Sequence, residues 1–376
     1  MKKILIYGPS QFHGGIETYV ENVLKTLKGR CVFTILQISN EDMYHSQFIK
    51  ENELAEIINL GFQSGWKSKL TNINLKKFDK YLEHNKFDII HINENSASAY
   101  WLAKIAIKHK VKVIYQSHNS KSHSVNFSKF PKFLITLLRK YQVNQLKKLK
   151  IKRIAVSDKA SQFVFPNDTN VEYIWNSIDS NKFSFNKSFR LTKRRFLGIP
   201  QKSKVGLFVG RLSSQKNLFW TLNLVKKALK LGIIDYFIFL GDGPLKEKFE
   251  IELKLLDENL KKRCLYLGQQ DKIGSWYSVS DILLMPSIYE GLPFTLVEAQ
   301  ASGLRCLVSN VITKQVQYTD LLTFKELSRI PDEWLLKLNE LSKSQNYDRN
   351  KYIIDLKKSL FSNESFKKNL EKLYGL

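Results

Sequence analysis

The chain has 376 residues, of which 43% are hydrophobic and 25% charged, a composition that is ordinary for a globular protein and excludes a disordered one. Sixty Lys and Arg residues against 35 Asp and Glu give a formal net charge of +25, so we expect an anionic partner: nucleic acid, a lipid surface or phosphorylated ligands. Three scattered cysteines exclude a disulfide scaffold and a zinc site. The length exceeds what one hydrophobic core usually supports and indicates two domains.

The chain opens with an apolar run at residues 4–6 that Gly8 and Pro9 end too early for a signal peptide, so a first β-strand is predicted. The longest comparable run, residues 133–138, falls well short of the roughly 20 residues that cross a bilayer. We therefore expect a cytoplasmic protein that is soluble or peripheral to the membrane.

Short apolar runs rich in β-branched residues recur along the chain, each followed by a segment with helical periodicity. The predicted strands span residues 3–7, 32–38, 88–92, 111–116, 154–157, 171–175, 205–209, 236–240, 264–267, 282–285 and 306–309. Strands that are apolar on both faces and alternate with helices indicate parallel sheets covered on both sides. The two series of strands predict an α/β protein with two Rossmann-like, doubly wound domains.

The polar and basic stretch at residues 180–203, which carries Pro200, is the predicted boundary between these domains. We expect an N-terminal domain at residues 1–185 and a C-terminal domain at residues 200–350. The tail from about residue 332 has helical spacing, and a last helix at about residues 355–376 is expected to pack back onto the first domain.

The first strand runs into Gly14 and Gly15, which open a segment whose apolar residues share one helical face. Glycines there let backbone N–H groups approach a ligand closely, and a helix N-terminus favours an anion. A plain strand–helix turn explains the same residues.

Two cations follow the strand that ends near residue 209. Arg211 lies at the carboxyl end of the strand, where ligands bind in such sheets, and Lys216 starts the next helix. Together they are suited to hold a diphosphate, although two solvated cations are also expected in so basic a protein.

The segment EGLPFTLVEAQASG follows the strand at residues 282–285. Its loop carries Glu290, and Gly291 to Thr295 are predicted to start a helix with Pro293 in the first turn. Glu298 lies within an otherwise small and apolar helix, where a carboxylate is costly unless it accepts hydrogen bonds. Ribose hydroxyls would supply such bonds, and backbone N–H groups would serve equally well.

Glu290 and Glu298 form an E-x7-E element, and the chain also contains GGIETYV, WNSID, VGRLSSQKN and FLGDGP in order. With these motifs, residues 1–310 resemble the retaining glycosyltransferases of family GT4, of the bacterial capsular or exopolysaccharide type. The resemblance implies a GT-B fold whose two Rossmann-like domains face a central cleft. It also implies transfer of a sugar from a nucleotide diphosphate donor, expected to be a UDP-sugar, to a lipid-linked or growing glycan.

The resemblance implies roles for individual residues of the C-terminal domain. Glu290 faces the donor sugar, and Glu298 binds the ribose hydroxyls. Arg211 and Lys216 bind the diphosphate, and the helix N-terminus, with its backbone N–H groups, helps to stabilise it. That N-terminus is formed by Gly291, Leu292, Pro293, Phe294 and Thr295.

For the N-terminal domain the resemblance places Gly14 and Gly15 near the donor diphosphate and the acceptor, and His118 against the donor sugar. No Asp-x-Asp pair occurs in the chain, so we expect no metal and no other cofactor. Hydrolysis by two carboxylates is a competing use of such a site. The apparent lack of a carboxylate in the equivalent loop of the N-terminal domain disfavours it.

Residues 121–153 contain ten Lys and Arg and no Asp or Glu. From about residue 131 to 150 they read as a basic amphipathic helix with Lys140, Lys147 and Lys148, which we expect to dock the N-terminal domain on the anionic inner face of the cell membrane. An ordinary helix with its apolar face on the core fits the pattern equally well.

Two further functions use the same features less completely. A nucleotide-sugar epimerase of the same two-domain shape needs no acceptor, and it leaves the basic segment unexplained. A nucleic-acid-binding protein would use the charge of +25 but leaves E-x7-E unexplained, and no nucleic-acid-binding signature is visible, so no nucleic acid partner is expected.

Overall fold

The computed structural model describes residues 1–11, 14–37, 43, 46–62, 73–118, 132–328, 330–343 and 347–376, and the elements below are numbered along these residues. The chain forms two compact units. The first unit comprises Met1–Ser177 together with Glu364–Leu376, and the second comprises Ile178–Asn363.

The first unit contains a seven-stranded sheet in which every pair of neighbours is parallel, in the order β3-β2-β1-β4-β5-β6-β7. Its strands are β1 (Lys2–Tyr7), β2 (Cys31–Gln37), β3 (Glu56–Asn59), β4 (Ile89–Glu94), β5 (Lys112–Ser117), β6 (Lys152–Ala155) and β7 (Glu172–Tyr173). Strands β2 and β3 are added on one side of β1, and β4 to β7 are added on its other side. This reversal of the strand order at β1 is the arrangement of a doubly wound fold.

Helices connect these strands. They are α1 (Gly15–Thr26), α2 (Ser46–Glu51), α3 (Ile73–His84), α4 (Tyr100–Lys108), α5 (Lys132–Lys147) and α6 (Asp158–Val164). In α1, Val20, Val23 and Leu24 share one helical face and pack on Ile4 and Ile6 of the sheet. This packing places the beginning of α1 at the carboxyl end of β1.

The second unit contains a six-stranded parallel sheet in the order β10-β9-β8-β11-β12-β13. Its strands are β8 (Val205–Val209), β9 (Tyr236–Leu240), β10 (Cys264–Tyr266), β11 (Ile282–Met285), β12 (Arg305–Ser309) and β13 (Leu322–Lys325). The α/β fold class with two parallel, doubly wound sheets is therefore confirmed.

The helices of the second unit surround this sheet. They are α7 (Ser180–Phe183), α8 (Lys187–Phe196), α9 (Leu218–Lys230), α10 (Lys246–Lys254), α11 (Glu258–Arg263), α12 (Ile273–Val279), α13 (Phe294–Ala301), α14 (Asp332–Lys343) and α15 (Tyr352–Lys358). One hydrophobic cluster joins Phe237 and Phe239 of the sheet to Leu222 of α9 and to Trp334 and Leu338 of α14.

The predicted domain boundary at residues 180–203 is wrong, because the chain divides between Ser177 and Ile178. The stretch that we interpreted as a linker forms α7 and α8, which belong to the second unit. The Arg194 side chain is fully buried and binds the carbonyl oxygen of Val279 and the carboxylate of Asp281. Arg194 therefore fixes this segment to the second unit through buried hydrogen bonds, and its charge does not mark an exposed linker.

The tail also divides differently from the prediction. The last helix, α16 (Asn363–Tyr374), lies almost wholly in the first unit, where Phe366, Leu370 and Tyr374 are buried in the core. Residues 355–362, which the sequence assigned to the same helix, belong to the second unit.

None of the helices in the described part of the chain is long and apolar enough to span a bilayer.

Candidate functional site

Two loops cross at the carboxyl edge of the second sheet, at the ends of β8 and β9. Gly241 has φ +133°, and a Cβ atom there would lie 2.0 Å from the carbonyl oxygen of Gly210. Leu212 N donates to Asp242 O at 2.9 Å, and the Asp242 carboxylate accepts from Gly243 N. The GRLSSQK and GDGP segments therefore form one rigid surface, and Asp242 shapes a turn within it.

Arg211 and Lys216 lie on this surface but in different environments. Arg211 is exposed, and its guanidinium makes no hydrogen bond or ion pair with any residue that the structure describes. The Lys216 side chain is only 14% exposed and packs on Gly210. It ends a short 3₁₀ turn, Ser214–Lys216, after which Asn217 adopts a left-handed conformation and α9 begins.

Glu290 is buried beside this surface and pairs with Lys216. Its Oε1 lies 2.7 Å from Lys216 Nζ, and its Oε2 accepts a longer hydrogen bond of 3.4 Å from Gln215 Nε2. Gln215 also donates to Tyr289 O at 3.0 Å, and its own carbonyl accepts from Ile288 N. The loop after β8 and the loop after β11 thus meet through one ion pair and three hydrogen bonds.

Helix α13 begins three residues later than the sequence predicts. Pro293 is the N-cap residue, with no side-chain capping bond, and Phe294 is the first helical residue. The expectation that Pro293 lies in the first turn is therefore wrong. Gly291 and Leu292 are buried in the loop that joins Glu290 to this helix, and Thr295 lies in its first turn.

Glu298 lies one turn into α13 and accepts a 2.6 Å hydrogen bond from Tyr277 Oη of α12. Burial raises the pKa of Glu298 to about 7, and the bond from Tyr277 partly offsets this rise. One carboxylate oxygen is thus bound by the protein, and the carboxyl group changes protonation state near neutral pH.

Gly14 and Gly15 lie at the start of α1, at the carboxyl edge of the first sheet. Gly14 is the N-cap residue of α1 and has no side chain that could cap the helix. The buried carboxylate of Glu17 instead accepts hydrogen bonds from Ser10 N and Ser10 Oγ at 2.8 Å. A Cβ atom on Gly14 would lie 2.9 Å from Glu17 Oε2, whereas one on Gly15 would meet no atom within 4 Å.

His118 follows β5 at the same edge. Its Nε2 lies 2.9 Å from Asn93 Oδ1, and its ring meets that of Tyr19 edge to face with centroids 5.0 Å apart. Burial, and then the nearby His91, lowers the pKa of His118 to about 3, so the imidazole is neutral at physiological pH. Because Tyr19 belongs to α1, the structure brings His118 against the helix that Gly14 and Gly15 begin.

A buried histidine, His91, connects the C-terminal helix to this edge. His91 Nδ1 lies 2.7 Å from Tyr374 Oη, and its Nε2 lies 2.9 Å from Gln116 Oε1. Burial lowers the pKa of His91 to about 4. His91, left without a role by the sequence, is therefore part of a buried network that includes α16.

The first unit places two carboxylates at this edge, although neither lies in a loop equivalent to that of Glu290, for which the sequence predicts no carboxylate. Glu94 ends β4, and burial raises its pKa to about 7 although backbone N–H groups of Asn95 and Ser96 bind it. The second carboxylate at this edge is Glu17 of α1, which binds Ser10. Both are invisible in the sequence because their positions depend on where β4 and α1 begin and end.

Helix α5 presents an unusual surface in the first unit. Residues 121–131 of the basic segment lie outside the described residues, but Lys140, Lys147 and Lys148 are exposed. Large apolar side chains of α5 are exposed as well: Phe133 (63%), Leu134, Leu137 (56%), Leu138 and Tyr141. The alternative in which this apolar face packs on the core is therefore wrong, and among the side chains of α5 that the structure describes only Leu146, near its end, is fully buried.

Family models match both units. A model described as "Glycosyltransferase Family 4" matches residues 13–182, and one described as "Glycosyl transferases group 1" matches residues 189–321. The chain belongs to this family of glycosyltransferases and is an enzyme of that class.

Two of the curated relatives are bacterial proteins named as glycosyltransferases. The chain is 26% identical over 325 residues to the putative glycosyltransferase EpsF of Bacillus subtilis, which covers 84% of this chain and 81% of the relative. It is 35% identical over 143 residues to the UDP-Gal:alpha-D-GlcNAc-diphosphoundecaprenol alpha-1,3-galactosyltransferase of Escherichia coli, covering 38% of this chain and 37% of that one. The chain is therefore a glycosyltransferase of bacterial polysaccharide biosynthesis.

Solved structures share the fold. The crystal structure of Anabaena Alr3699/HepE in complex with UDP matches with a TM-score of 0.78 and 17% identity, and the match covers all of both chains. The structure of TarM matches with a TM-score of 0.71 and 12% identity, covering 100% of this chain and 99% of the other. These likenesses confirm the GT-B fold class.

Three residues that hold the candidate groups were not predicted from the sequence. Gln215 binds Glu290, Tyr277 binds Glu298, and Asn93 binds His118. Gln215 lies inside the GRLSSQK motif and directly precedes Lys216, so the sequence could have indicated it as a site residue. Tyr277 and Asn93 come from elements distant in sequence from the groups they bind, so no local pattern marks them.

Proposed function

We propose that this glycosyltransferase is a retaining enzyme that moves a sugar from a UDP-sugar to a lipid-linked glycan during synthesis of a bacterial surface polysaccharide. The observation that carries the proposal is the 2.7 Å ion pair between Lys216 and Glu290. It joins the cation expected to bind the diphosphate to the carboxylate expected to face the donor sugar.

The chemistry follows from charge. Departure of the nucleoside diphosphate builds negative charge on its phosphate oxygens while positive charge develops on the sugar. Arg211, whose guanidinium has no partner among the described residues, and Lys216 would stabilise the phosphate, together with the N-terminus of α13. Glu290, held by Lys216 and Gln215, would stabilise the oxocarbenium-like sugar without attacking it.

Names of relatives support the donor and the acceptor. The name of the Escherichia coli relative includes UDP-Gal and a diphosphoundecaprenol-linked sugar. A Campylobacter jejuni relative, 29% identical over 195 residues that cover 46% of this chain and 47% of that one, is also named for a diphospho-undecaprenol acceptor. An acceptor carried by a membrane lipid would be met at the inner face of the cell membrane, and the exposed face of α5 is suited to that surface.

A donor screen tests the proposal. Purified protein is incubated with a panel of UDP-sugars and a lipid-pyrophosphate glycan, and UDP release is measured with and without the acceptor. We expect release that depends on the acceptor, and a product whose anomeric configuration by ¹H NMR matches that of the donor.

The screen also separates the alternatives. Release without acceptor would indicate hydrolysis. That reaction uses carboxylates, and Glu94 and Glu17 are two carboxylates at the edge of the first sheet. Conversion of one UDP-sugar into another would indicate an epimerase. An inverted product would contradict the retaining mechanism.

A further inference from the structure

Asn93 is the penultimate residue of β4 and is buried beside His118. Its Nδ2 lies 3.3 Å from the carbonyl oxygen of Tyr7 and 3.5 Å from that of His91. Both oxygens are acceptors only, so the amide turns its N–H groups toward them. Its Oδ1 therefore faces the Nε2 atom of His118, at 2.9 Å.

This arrangement determines which ring nitrogen of His118 carries the hydrogen. Asn93 Oδ1 can only accept, so Nε2 of His118 donates. Because the low pKa of His118 keeps the imidazole neutral, its other nitrogen, Nδ1, carries a lone pair and no hydrogen. Among the described residues, no side chain binds Nδ1.

The position of Asn93 is itself fixed by close packing. Gly8 has φ +131°, and a Cβ atom there would lie 2.1 Å from the Asn93 carbonyl oxygen and 2.8 Å from the Asn93 Cβ. On the other side, the Tyr19 ring meets His118 edge to face. The main chain and Cβ of Asn93 are therefore packed closely on Gly8, which follows β1, its amide is oriented by the two carbonyl oxygens, and the His118 ring has an aromatic neighbour on one side.

We propose that Asn93 is a positioning residue that holds His118 in the Nε2–H tautomer, so that Nδ1 accepts a hydrogen bond from a hydroxyl group of the sugar substrate. The proposal rests on the proposed function and on the place against the donor sugar that the family resemblance implies for His118. It adds a property of that sugar, namely a free hydroxyl where it meets Nδ1. It also assigns His118 no part in stabilising negative charge, because a neutral ring with a lone pair on Nδ1 cannot donate there.

The tautomer is measured directly on the full chain. Long-range ¹H–¹⁵N spectra of protein labelled with ¹⁵N-histidine distinguish Nε2–H, Nδ1–H and imidazolium forms, and a His118→Gln variant assigns the signal. At pH 7 we expect the Nε2–H form in the wild type and a mixture of the two neutral forms in Asn93→Ala. Asn95→Ala, the same change two residues further on, is the matched control and should leave the signal unchanged.

Kinetics supply the second measurement. With a UDP-sugar that gives acceptor-dependent UDP release, Asn93→Ala should lower kcat/KM about tenfold, the effect of one neutral hydrogen bond, whereas Asn95→Ala should not. A deoxy analogue that lacks the hydroxyl should be a poor substrate for the wild type, and the Asn93→Ala variant should distinguish it less well from the parent sugar.

An Nδ1–H or imidazolium form in the wild type would overturn the proposal, even if the variant fails to fold. So would an Asn93→Ala protein with the wild-type tautomer and full activity. If no UDP-sugar supports transfer, the proposed function fails, and the spectra still decide the tautomer.

Discussion

At the scale of single residues, each candidate group is held by a partner that sets its chemical state. Lys216 holds Glu290 as an ion pair, Tyr277 donates to Glu298, and burial keeps His118 neutral. The two carboxyl groups of E-x7-E therefore differ in chemical state. Glu290 has a cation beside it, whereas Glu298 is half-buried, binds Tyr277 and has a raised pKa.

The pKa of Glu298 leads to a prediction for nucleotide binding. At about 7, it leaves the carboxyl group largely protonated at pH 6 and ionised at pH 8. An ionised carboxylate accepts hydrogen bonds from ribose hydroxyls more strongly than a protonated one, so its contribution to UDP affinity should grow as the pH rises. Glu298→Gln should weaken UDP binding about tenfold at pH 8 and less at pH 6.

Calorimetric titration at several pH values measures this effect. UDP itself titrates in the same range, so the ratio of the two Kd values, variant over wild type, isolates the contribution of Glu298. A ratio that stays constant from pH 6 to pH 8 would contradict the account.

At the scale of elements, the loops after β8 and β11 are held by contacts that local sequence does not encode. The strands at 205–209, 236–240 and 282–285 were predicted with their observed ends because they are apolar runs in the middle of a sheet. The edge strands β3 and β13 were missed. β3 reads Glu-Ile-Ile-Asn and has no fully buried residue, so its apolar signal is only two residues long.

The helices that follow the domain boundary give a prediction for stability. Asp281 accepts hydrogen bonds from Arg190, Arg194 and Val205 N, and the Arg194 side chain is fully buried. Asp281→Ala would leave Arg194 without its counter-charge, which should lower the free energy of unfolding by about 3–5 kcal/mol. Urea titration followed by circular dichroism measures the loss.

Asp332→Ala is the control for this change. Its ion pair with Lys227 is exposed, so its removal should cost ~0–1 kcal/mol. If the two variants lost equal stability, the buried network around Arg194 would not hold the second unit together as argued.

The exposed face of α5 predicts binding to anionic lipid. At 100° per residue, its five exposed apolar side chains cover one side of the helix, with Lys140 and Lys147 along one edge; Lys148 follows the last residue of the helix. Changing these three lysines to Glu should reduce co-sedimentation with vesicles of phosphatidylglycerol and phosphatidylcholine by at least tenfold, since each lysine near an anionic surface contributes ~1 kcal/mol.

The matched control carries three Lys→Glu changes on exposed helix positions of the second unit, at Lys230, Lys254 and Lys262. The net charge falls equally in both proteins, so only the control should keep its binding. Loss of binding in both would indicate non-specific attraction by the charge of +25, and binding unchanged in the α5 variant would contradict the docking role.

At the scale of the whole molecule, the motifs established the family and both sheets, because five ordered motifs and two series of apolar strands span most of the chain. They did not locate the division of the chain. The predicted boundary is a basic, polar stretch, whereas Arg190 and Arg194 of that stretch bind Asp281 and backbone carbonyls, and Arg194 is fully buried. A charged residue is expected in solvent only when the fold offers it no partner. The partner of Arg194, Asp281, lies about 90 residues away in the sequence.

The central claim is sugar transfer from a nucleotide diphosphate donor with Glu290 at the reacting sugar, and one comparison tests it most directly. UDP release in the presence of a lipid-pyrophosphate glycan is measured for the wild type and for Glu290→Gln, together with the UDP affinity of both. The account predicts that the variant loses acceptor-dependent release by a factor of about 100 or more while its UDP affinity stays within a few fold. A variant that transfers sugar at the wild-type rate would contradict it.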